Sequence, residues 1–256
     1  MATHGERILE QFSKKADLYA TAPELTDEDT LRFLIQLSGA TQNDTLLDVA
    51  CGAGVLVCSF AERVKHATGI DLVPAMIDRA RTLAAEKNIA NVGWQVGDVL
   101  ALPFPDESFS LVTSRYAFHH VENPGKMLNE MKRVCAPAGR VLAADMVAPE
   151  NATNAELLNQ MEKLRDPSHV RAMPATELRS LFFDAGLMPH EPYIYRVEFD
   201  LESLLKGSNP LPGDEAKVRD MFTQALRDDS MELDVRRESG GIRLSYTIAV
   251  LVARKS

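Results

Sequence analysis

Three aspartates occupy comparable positions in three successive apolar segments of the chain. Asp48 lies within the first segment, Asp71 ends the second, and Asp98 follows the third. Because carboxylates accept hydrogen bonds and attract positive charge, the three together would suit a ligand with hydroxyl groups, amino groups and a cationic centre. If the segments are parallel strands, these side chains meet at one edge of a sheet. The competing interpretation of each aspartate is a turn-forming or capping role.

A glycine turn follows the first segment, in the run Leu47-Asp48-Val49-Ala50-Cys51-Gly52-Ala53-Gly54. Glycine lacks a Cβ atom, so the backbone can turn tightly at Gly52 and Gly54 and lie close to a ligand. A dinucleotide site prefers a third glycine where this chain has Val57, and Asp48 would lie unfavourably beside a pyrophosphate. The pattern therefore favours S-adenosylmethionine, which is cationic and carries no phosphate, over a nicotinamide cofactor.

The other two aspartates suit the remaining parts of such a ligand. Asp71 can accept hydrogen bonds from both ribose hydroxyls. Asp98 can accept one from the adenine amino group, while the backbone N–H of Val99 reaches a ring nitrogen. These roles require that strands and helices alternate, so that the three acids reach the same cleft.

The sequence has that alternation from residue 45 onward. Apolar segments of strand length alternate with segments of helical periodicity, which predicts a doubly wound α/β sheet. Predicted strands are 46–50, 67–71, 92–96, 109–114 and 139–146, and predicted helices are 55–63, 74–87 and 124–134.

The flanking regions break the alternation. Two apolar stripes predict helices before residue 39, where Gly39 would end the second. After residue 147 we expect helices over 156–164 and 176–185 and a loop over 207–213. Strands over 193–199 and 242–253, joined by a helix-containing segment, should pair as an antiparallel hairpin at the sheet edge. A single domain is expected, with a helical lid (1–40), a cofactor-binding core (41–147) and acceptor-side helices with the final strands (148–256).

The chain resembles the class I S-adenosylmethionine-dependent methyltransferases, in particular the ubiquinone/menaquinone-biosynthesis type known as the methyltransferase 11 group. The resemblance covers about residues 40–147 and departs from the family at Pro137-Ala138-Gly139, where Pro-Gly-Gly is usual. The matching segments are the glycine turn, Gly69-Ile70-Asp71, Met76-Ile77, Gly97-Asp98, Leu102-Pro103-Phe104-Pro105-Asp106 and Met131-Lys132-Arg133-Val134.

The resemblance implies a Rossmann-like sheet of seven strands in the order 3-2-1-4-5-7-6, with the last strand antiparallel. It also implies that the turn from Asp48 to Gly54 cradles the methionine moiety and that the ribose and adenine lie beyond it. The implied cofactor-binding residues are Asp48, Ala50, Gly52, Gly54, Asp71, Leu72, Met76, Asp98 and Val99, to which we add Arg115 and Tyr19.

Acceptor-side candidates follow the fourth strand, in the run from Ser114 to His120. His119 or His120 could remove a proton from an attacking hydroxyl or acidic carbon, or the pair could be structural. Arg115 could bind the cofactor or an acidic acceptor. The segment 165–171 could contact substrate or form a capped turn.

Composition narrows the class of acceptor. The net charge is −9, and no cluster of Lys and Arg resembles a nucleic-acid surface. The three cysteines match no zinc or disulfide pattern, so we expect a metal-independent reaction in the cytoplasm. No signal peptide or membrane span is apparent, and the oligomeric state, monomer or homodimer, stays open.

We therefore expect an enzyme that transfers a methyl group from S-adenosylmethionine to a small molecule, leaving S-adenosylhomocysteine. Two alternatives remain: an RNA or protein methyltransferase of the same fold, and a non-catalytic module that binds S-adenosylmethionine or S-adenosylhomocysteine.

Overall fold

A computed structural model describes residues 3–238 and 240–256 of the chain. The N-terminal region is helical, as predicted. Thr3 begins the first helix with a capping box, in which its hydroxyl accepts the N–H of Glu6 and the Glu6 carboxylate accepts the N–H of Thr3. The fourth helix ends at Gly39, whose φ of 62° is left-handed, so the predicted stop is confirmed. The helices are α1 His4–Ser13, α2 Ala16–Thr21, α3 Pro23–Thr26 and α4 Glu28–Ser38.

Strands and helices then alternate as the sequence predicts. Pro74 and Pro124 occupy the first turns of α6 and α7, where a missing N–H leaves no helical hydrogen bond unmade. The elements are β1 Thr45–Val49, α5 Val55–Ala61, β2 His66–Asp71, α6 Pro74–Glu86, β3 Val92–Val96, β4 Phe109–Arg115, α7 Pro124–Val134 and β5 Cys135–Met146.

The final third of the chain contains more elements than predicted. The segment between the last two long strands was expected to contain helix, and it forms two helices of six and fifteen residues. Two short strands, of two and three residues, were not predicted because they are too short for a sequence period to appear. The elements are α8 Ala152–Arg165, α9 Ala175–Asp184, β6 Met188–Pro189, β7 Tyr193–Asp200, α10 Leu201–Lys206, α11 Asp214–Asp228, β8 Arg236–Glu238 and β9 Gly241–Arg254.

The sheet confirms the predicted fold class. Strands β1 to β5 are parallel in the order 3-2-1-4-5, and β9 joins β5 antiparallel. Strands β6, β7 and β8 all pair antiparallel with β9. The predicted hairpin of the last two long strands is therefore present, and β9 takes the place expected for the seventh strand.

The central strands β1 and β4 are covered on both faces of the sheet. Leu46 and Leu111 pack into the apolar cluster on one face, which includes residues of α4, α5, α8 and α11. Their strand neighbours Leu47 and Val112 pack into the cluster on the other face, with residues of α7 and α9. Because side chains of a strand alternate between faces, two covered faces explain why these strands are continuously apolar.

The histidine pair lies beyond the end of β4. The strand stops at Arg115, and His119 and His120 lie in the following short 3₁₀ turn, Phe118–His120. Tyr116 breaks the strand by adopting a φ of 57°, and its N–H then donates to the carbonyl of Ala144.

In the described part of the chain, no helix combines the length and the apolar character needed to cross a membrane.

Candidate functional site

The turn between β1 and α5 is built from left-handed residues. Ala50, Gly52 and Gly54 have φ values of 59°, 52° and 80°. A Cβ atom on Gly54 would lie 2.6 Å from the Trp94 ring and 2.7 Å from the Ala80 Cβ, whereas one on Gly52 would meet nothing within 4 Å. The two glycines thus differ: Gly54 permits close packing beneath the turn, and Gly52 leaves open space above it.

That open space is a cavity of about 480 Å³, called here the glycine-loop cavity. Ten of the eleven residues predicted to bind a cofactor line it, and Gly54 is the exception because it faces the Trp94 ring. The lining residues from that prediction are Tyr19, Asp48, Ala50, Gly52, Asp71, Leu72, Met76, Asp98, Val99 and Arg115. The structure therefore brings the three aspartates to one cavity.

Asp48 is a buried carboxyl at this cavity, and the Thr113 hydroxyl donates to it at 2.7 Å. Burial raises the pKa of Asp48 to about 7, against the opposing effects of the Thr113 hydrogen bond and the Arg115 charge. A group with this pKa is partly protonated at neutral pH and ionises fully when a cation approaches it. The position therefore favours a cationic ligand.

Asp71 both shapes the cavity and opens to it. One carboxylate oxygen accepts the N–H of Gly52 at 2.8 Å and the other accepts the N–H of Val73 at 2.9 Å. Burial raises the pKa of Asp71, although these backbone hydrogen bonds oppose the change. Each oxygen keeps a second lone pair, so both can still accept a ligand hydroxyl. Asp98 lies at the same cavity and accepts the N–H of Leu100 at 2.8 Å.

Arg115 offers an unpaired donor to the glycine-loop cavity. One terminal nitrogen donates to the carbonyl of Leu25 at 3.0 Å, and the guanidinium lies 5.1 Å from the centre of the Tyr116 ring. The other, Nη1, is buried and has no hydrogen-bond partner among the described residues. A guanidinium with a free N–H group is suited to a carboxylate.

A second cavity, of about 830 Å³, adjoins the first and is called here the β7 cavity. Its walls come from α1 to α3, the histidine turn, β7, α10 and β9. Residues that line both cavities mark their junction: Phe12, Tyr19, Leu25, Tyr116 and His120. Phe12 packs edge-on against Tyr19 and His120, with ring centroids 5.4 and 5.1 Å apart. Helices α1 and α2 therefore cover the junction.

The two histidines have different surroundings. His119 lines only the β7 cavity, and its Nδ1 lies 2.6 Å from Oδ1 of Asp145. His120 lies at the junction, with its Nδ1 3.2 Å from the Ser168 carbonyl. Burial lowers the pKa of His119, but the carboxylate of Asp145 outweighs this effect and leaves the pKa raised. Burial and the neighbouring His119 lower the pKa of His120 to about 4.

The segment 165–171 is divided between the cavity, the core and the surface. Arg165 and Asp166 line the β7 cavity, and Arg165 also pairs with the buried Glu162 at 2.6 Å. His169 is buried and its Nε2 lies 2.8 Å from Oδ1 of Asn159, while Arg171 pairs with a surface glutamate. Part of this segment is thus placed to contact a ligand, and part is structural.

Two features of the site were not predicted from the sequence: the role of Asp145 and the left-handed backbone of Tyr116. Asp145 had one visible signal, since it is the lone acid after the apolar run 141–144 of β5. No sequence signal indicated the left-handed conformation of Tyr116, because tyrosine rarely adopts it.

Among the described residues, no group of three or more His, Cys, Asp or Glu side chains is arranged to hold a metal ion.

Comparisons with known proteins agree with this architecture. Residues 47–143 match the methyltransferase 11 family, described as a methyltransferase domain. The chain is 33% identical over 200 residues to "Uncharacterized methyltransferase YcgJ" of Bacillus subtilis, which covers 78% of this chain and 79% of that protein. The crystal structure of YcgJ superposes with a TM-score of 0.82 at 28% identity, over 89% of this chain and 98% of that one.

Two more distant relatives extend the comparison. The ubiquinone/menaquinone biosynthesis C-methyltransferase UbiE of Pectobacterium carotovorum is 28% identical over 177 residues, 68% of this chain and 67% of that protein. A Streptomyces coelicolor geranyl diphosphate C-methyltransferase, solved with Mg²⁺, geranyl diphosphate and S-adenosyl-L-homocysteine, shares the fold with a TM-score of 0.63 at 20% identity, over 90% of this chain and 79% of that one. With its sheet order and its match to YcgJ, the chain belongs to the class I S-adenosylmethionine-dependent methyltransferases, in the methyltransferase 11 group.

Proposed function

We propose that the protein binds S-adenosylmethionine in the glycine-loop cavity and transfers its methyl group to a small molecule held in the β7 cavity. The observation that carries this proposal is the junction, at which a cavity lined by three aspartates opens onto a second, larger one. When bound, S-adenosylmethionine supplies a methyl group activated by its attachment to a sulfonium.

The residues of the glycine-loop cavity fit that cofactor. The buried carboxyl of Asp48 suits the cationic part of the methionine moiety, and the unpaired Nη1 of Arg115 suits its carboxylate. Asp71 accepts hydrogen bonds from the ribose hydroxyls. The Asp98 carboxylate and the backbone N–H of Val99 form hydrogen bonds with the edge of the adenine. Leu72 and Met76 pack on the adenine, while Tyr19 closes the cavity from the lid side.

The β7 cavity fits a small acceptor better than a macromolecule. Its volume lies in the range of ordinary small-ligand sites, and α1 to α3 form one of its walls. Aromatic and aliphatic side chains line much of it, including Phe12, Tyr116, Phe199, Tyr246 and Ile248. We therefore propose that residues 3–26 act as a lid, and that the elements after residue 147 complete the acceptor site.

Positioning is the main contribution to catalysis in this arrangement. Methyl transfer needs the acceptor atom, the methyl carbon and sulfur in line, and holding them so can supply roughly 7–11 kcal/mol. The junction residues confine the acceptor to one approach, from the β7 cavity toward the glycine-loop cavity. A histidine on that side can also remove the acceptor's proton.

Cofactor choice is tested by calorimetry with S-adenosylmethionine, S-adenosylhomocysteine and NAD. The first two should bind and NAD should not, because the Asp48 carboxylate would lie unfavourably beside a pyrophosphate and Val57 replaces the third glycine of a dinucleotide turn. Tighter binding of NAD than of S-adenosylmethionine would overturn the proposal.

The class of acceptor is tested with methyl-labelled S-adenosylmethionine and a cell extract separated into small-molecule, RNA and protein fractions. Label should enter the small-molecule fraction, at a rate proportional to added protein. Label in RNA or protein would instead support a macromolecular methyltransferase, and cofactor binding without any labelling would support a non-catalytic module.

A further inference from the structure

We propose that His119 is the general base of the reaction, that Asp145 is the residue that positions it, and that the acceptor carries an ionisable proton on the atom that is methylated. This inference rests on the proposed function and concerns the same site. The acceptor class is thereby a hydroxyl compound, a thiol or a carbon acid, and not an amine or thioether that reacts through a free lone pair.

The Asp145 carboxylate fixes the tautomer of His119. Its Oδ2 accepts the backbone N–H of His119 at 3.0 Å, and its Oδ1 accepts the N–H of Met146 at 2.8 Å and lies 2.6 Å from Nδ1 of His119. An ionised carboxylate can only accept, so Nδ1 must carry the hydrogen. The lone pair of the neutral ring is then on Nε2, which makes no hydrogen bond to any described residue.

The location of the ring fits a base for the acceptor. His119 lines the β7 cavity and not the glycine-loop cavity, so it lies on the side from which the acceptor approaches. It is buried, and the carboxylate behind it is buried too, so the pair is shielded from water. A base must reach the acceptor atom and must not interfere with the cofactor, and His119 meets both requirements.

His120 is the less suitable member of the pair. Its Nδ1 donates to the neutral carbonyl of Ser168 instead of to a carboxylate. An imidazolium at this position would therefore lack a directly bonded counter-ion, and it would lie beside His119, whose ring centroid is 4.2 Å away. His120 forms part of the wall of the junction, where its edge-on contact with Phe12 also supports the lid.

Several charged and titratable groups act on His119 from the elements around it. Burial favours the neutral ring, and the negative charges around it favour the protonated ring, with the net result that its pKa is raised. The groups are Asp145 on β5, Glu162 on α8, Asp166 and His169 after α8, and His120 on the same turn. Because only the neutral ring can accept a proton, turnover should fall as the pH decreases through this raised pKa.

The proposed step conserves atoms and electrons. Nε2 of His119 takes the proton from the acceptor's oxygen, sulfur or carbon, and the electron pair left on that atom forms a bond to the methyl carbon. The carbon–sulfur bond breaks with its electron pair remaining on sulfur, which gives S-adenosylhomocysteine and the methylated acceptor. The imidazolium is stabilised by Asp145 until its proton passes to solvent.

The experiment compares Asp145→Asn and His119→Gln with the unchanged protein, using the labelled small-molecule fraction as the acceptor probe between pH 6 and 9. His119→Gln should lower turnover by roughly 10²–10⁴-fold, the range of general-base catalysis. Asp145→Asn should lower turnover at least about tenfold and shift the acid limb of its pH profile to lower pH, since it removes the charge that raises the His119 pKa. Calorimetry with S-adenosylhomocysteine should give nearly unchanged affinity for both.

His169→Gln is the matched control, because His169 is buried in the same cluster, with its ring 5.6 Å from that of His119, but lines neither cavity. Burial lowers the pKa of His169 to about 3, so its ring is neutral between pH 6 and 9 and its replacement removes no charge from beside His119. His169→Gln should therefore lower the melting temperature and leave the pH profile unchanged. Nitrogen-15 spectra of the imidazole rings provide a readout that needs no acceptor, and should show hydrogen on Nδ1 of His119 in the unchanged protein and a lower His119 pKa in Asp145→Asn.

Two outcomes would overturn the inference: turnover within about twofold of normal in His119→Gln, or hydrogen on Nε2 of His119 in the neutral ring. If the unchanged protein labels no fraction, the proposed function itself fails. In that case the spectra still decide whether Asp145 fixes the His119 tautomer.

Discussion

Asp48 shows how one residue can be unfavourable for folding and favourable for ligand binding. In the unfolded chain an aspartate has a pKa of about 3.9, whereas burial in the folded protein raises the pKa of Asp48 to about 7. Between these values the folded state binds more protons than the unfolded state. The stability of the ligand-free protein therefore decreases as the pH rises from about 4 to about 7, and this contribution is constant above that range.

The first prediction concerns Asp48→Asn. The amide can still accept from Thr113, and it removes a buried charge at pH 8, so the melting temperature of the ligand-free protein should rise by at least about 2 °C. Affinity for S-adenosylmethionine should fall at least about tenfold, since the cation loses its counter-charge. Calorimetry with S-adenosylhomocysteine, which lacks the sulfonium, separates the two cationic groups of the ligand. An unchanged melting temperature together with unchanged affinity would contradict the interpretation.

The second prediction concerns Asp71, whose role is both structural and ligand-directed. Asp71→Ala should weaken binding of S-adenosylhomocysteine at least tenfold, because charge-assisted hydrogen bonds to the ribose are each worth roughly 1.5–3 kcal/mol. The hydrogen bonds from Gly52 and Val73 show that the glycine turn also depends on this carboxylate, so a lower melting temperature is expected as well. Asp71→Asn retains one acceptor oxygen, so its affinity for S-adenosylhomocysteine should lie between those of Asp71→Ala and the unchanged protein.

At the scale of elements, the glycine turn allows a comparison between two similar positions. The third prediction is that Gly54→Ala destabilises the protein by more than about 2 kcal/mol, because its Cβ would overlap the Trp94 ring and the Ala80 side chain. Gly52→Ala meets no atom within 4 Å and bears mainly the left-handed strain, about 1–2 kcal/mol. Its methyl group would enter the glycine-loop cavity, so it should lose cofactor affinity. Denaturation and calorimetry on both variants test this, and equal stability losses would contradict it.

Elements with a strong local pattern were predictable from the sequence, and those that depend on distant contacts were not. The strands from β1 to β5 are mostly apolar segments of strand length that alternate with helices, and α7 has its predicted bounds because Pro124 begins it. Helix α10 and strand β6 have too few residues for a period to appear. Within the site, the glycine turn and its aspartates were predicted from the sequence, because the family resemblance and the chemistry of these residues indicated the same ligand. The pairing of His119 with Asp145 was not, because the two residues lie on different elements.

At the scale of the whole molecule, the N-terminal helices are joined to distant parts of the chain by a few polar contacts. Nε2 of His4 donates to the carbonyl of His120 at 2.6 Å, and Nζ of Lys15 donates to the carbonyl of Lys206 at 3.1 Å and to that of Ser208. Arg79 of α6 pairs with Asp17 at 3.0 Å. These contacts join α1, α2 and the residue between them to the histidine turn, the end of α10 and the core, so they fix the N-terminal helices beside both cavities.

The last prediction is that the lid orders when ligand binds and that Lys15 controls how long ligand stays. Hydrogen exchange in residues 3–26 should slow on addition of S-adenosylhomocysteine, and exchange in 148–190 should slow further when an acceptor is present, because both regions adjoin the cavities. Lys15→Met removes the contacts to α10 without altering a cavity-lining residue, so it should increase the dissociation rate of S-adenosylhomocysteine several-fold and reduce the lid's protection. Lys14→Met changes an exposed neighbour of the same charge and should have little effect. The lid role would be contradicted by protection confined to residues 45–100, or by equal dissociation rates in the two variants.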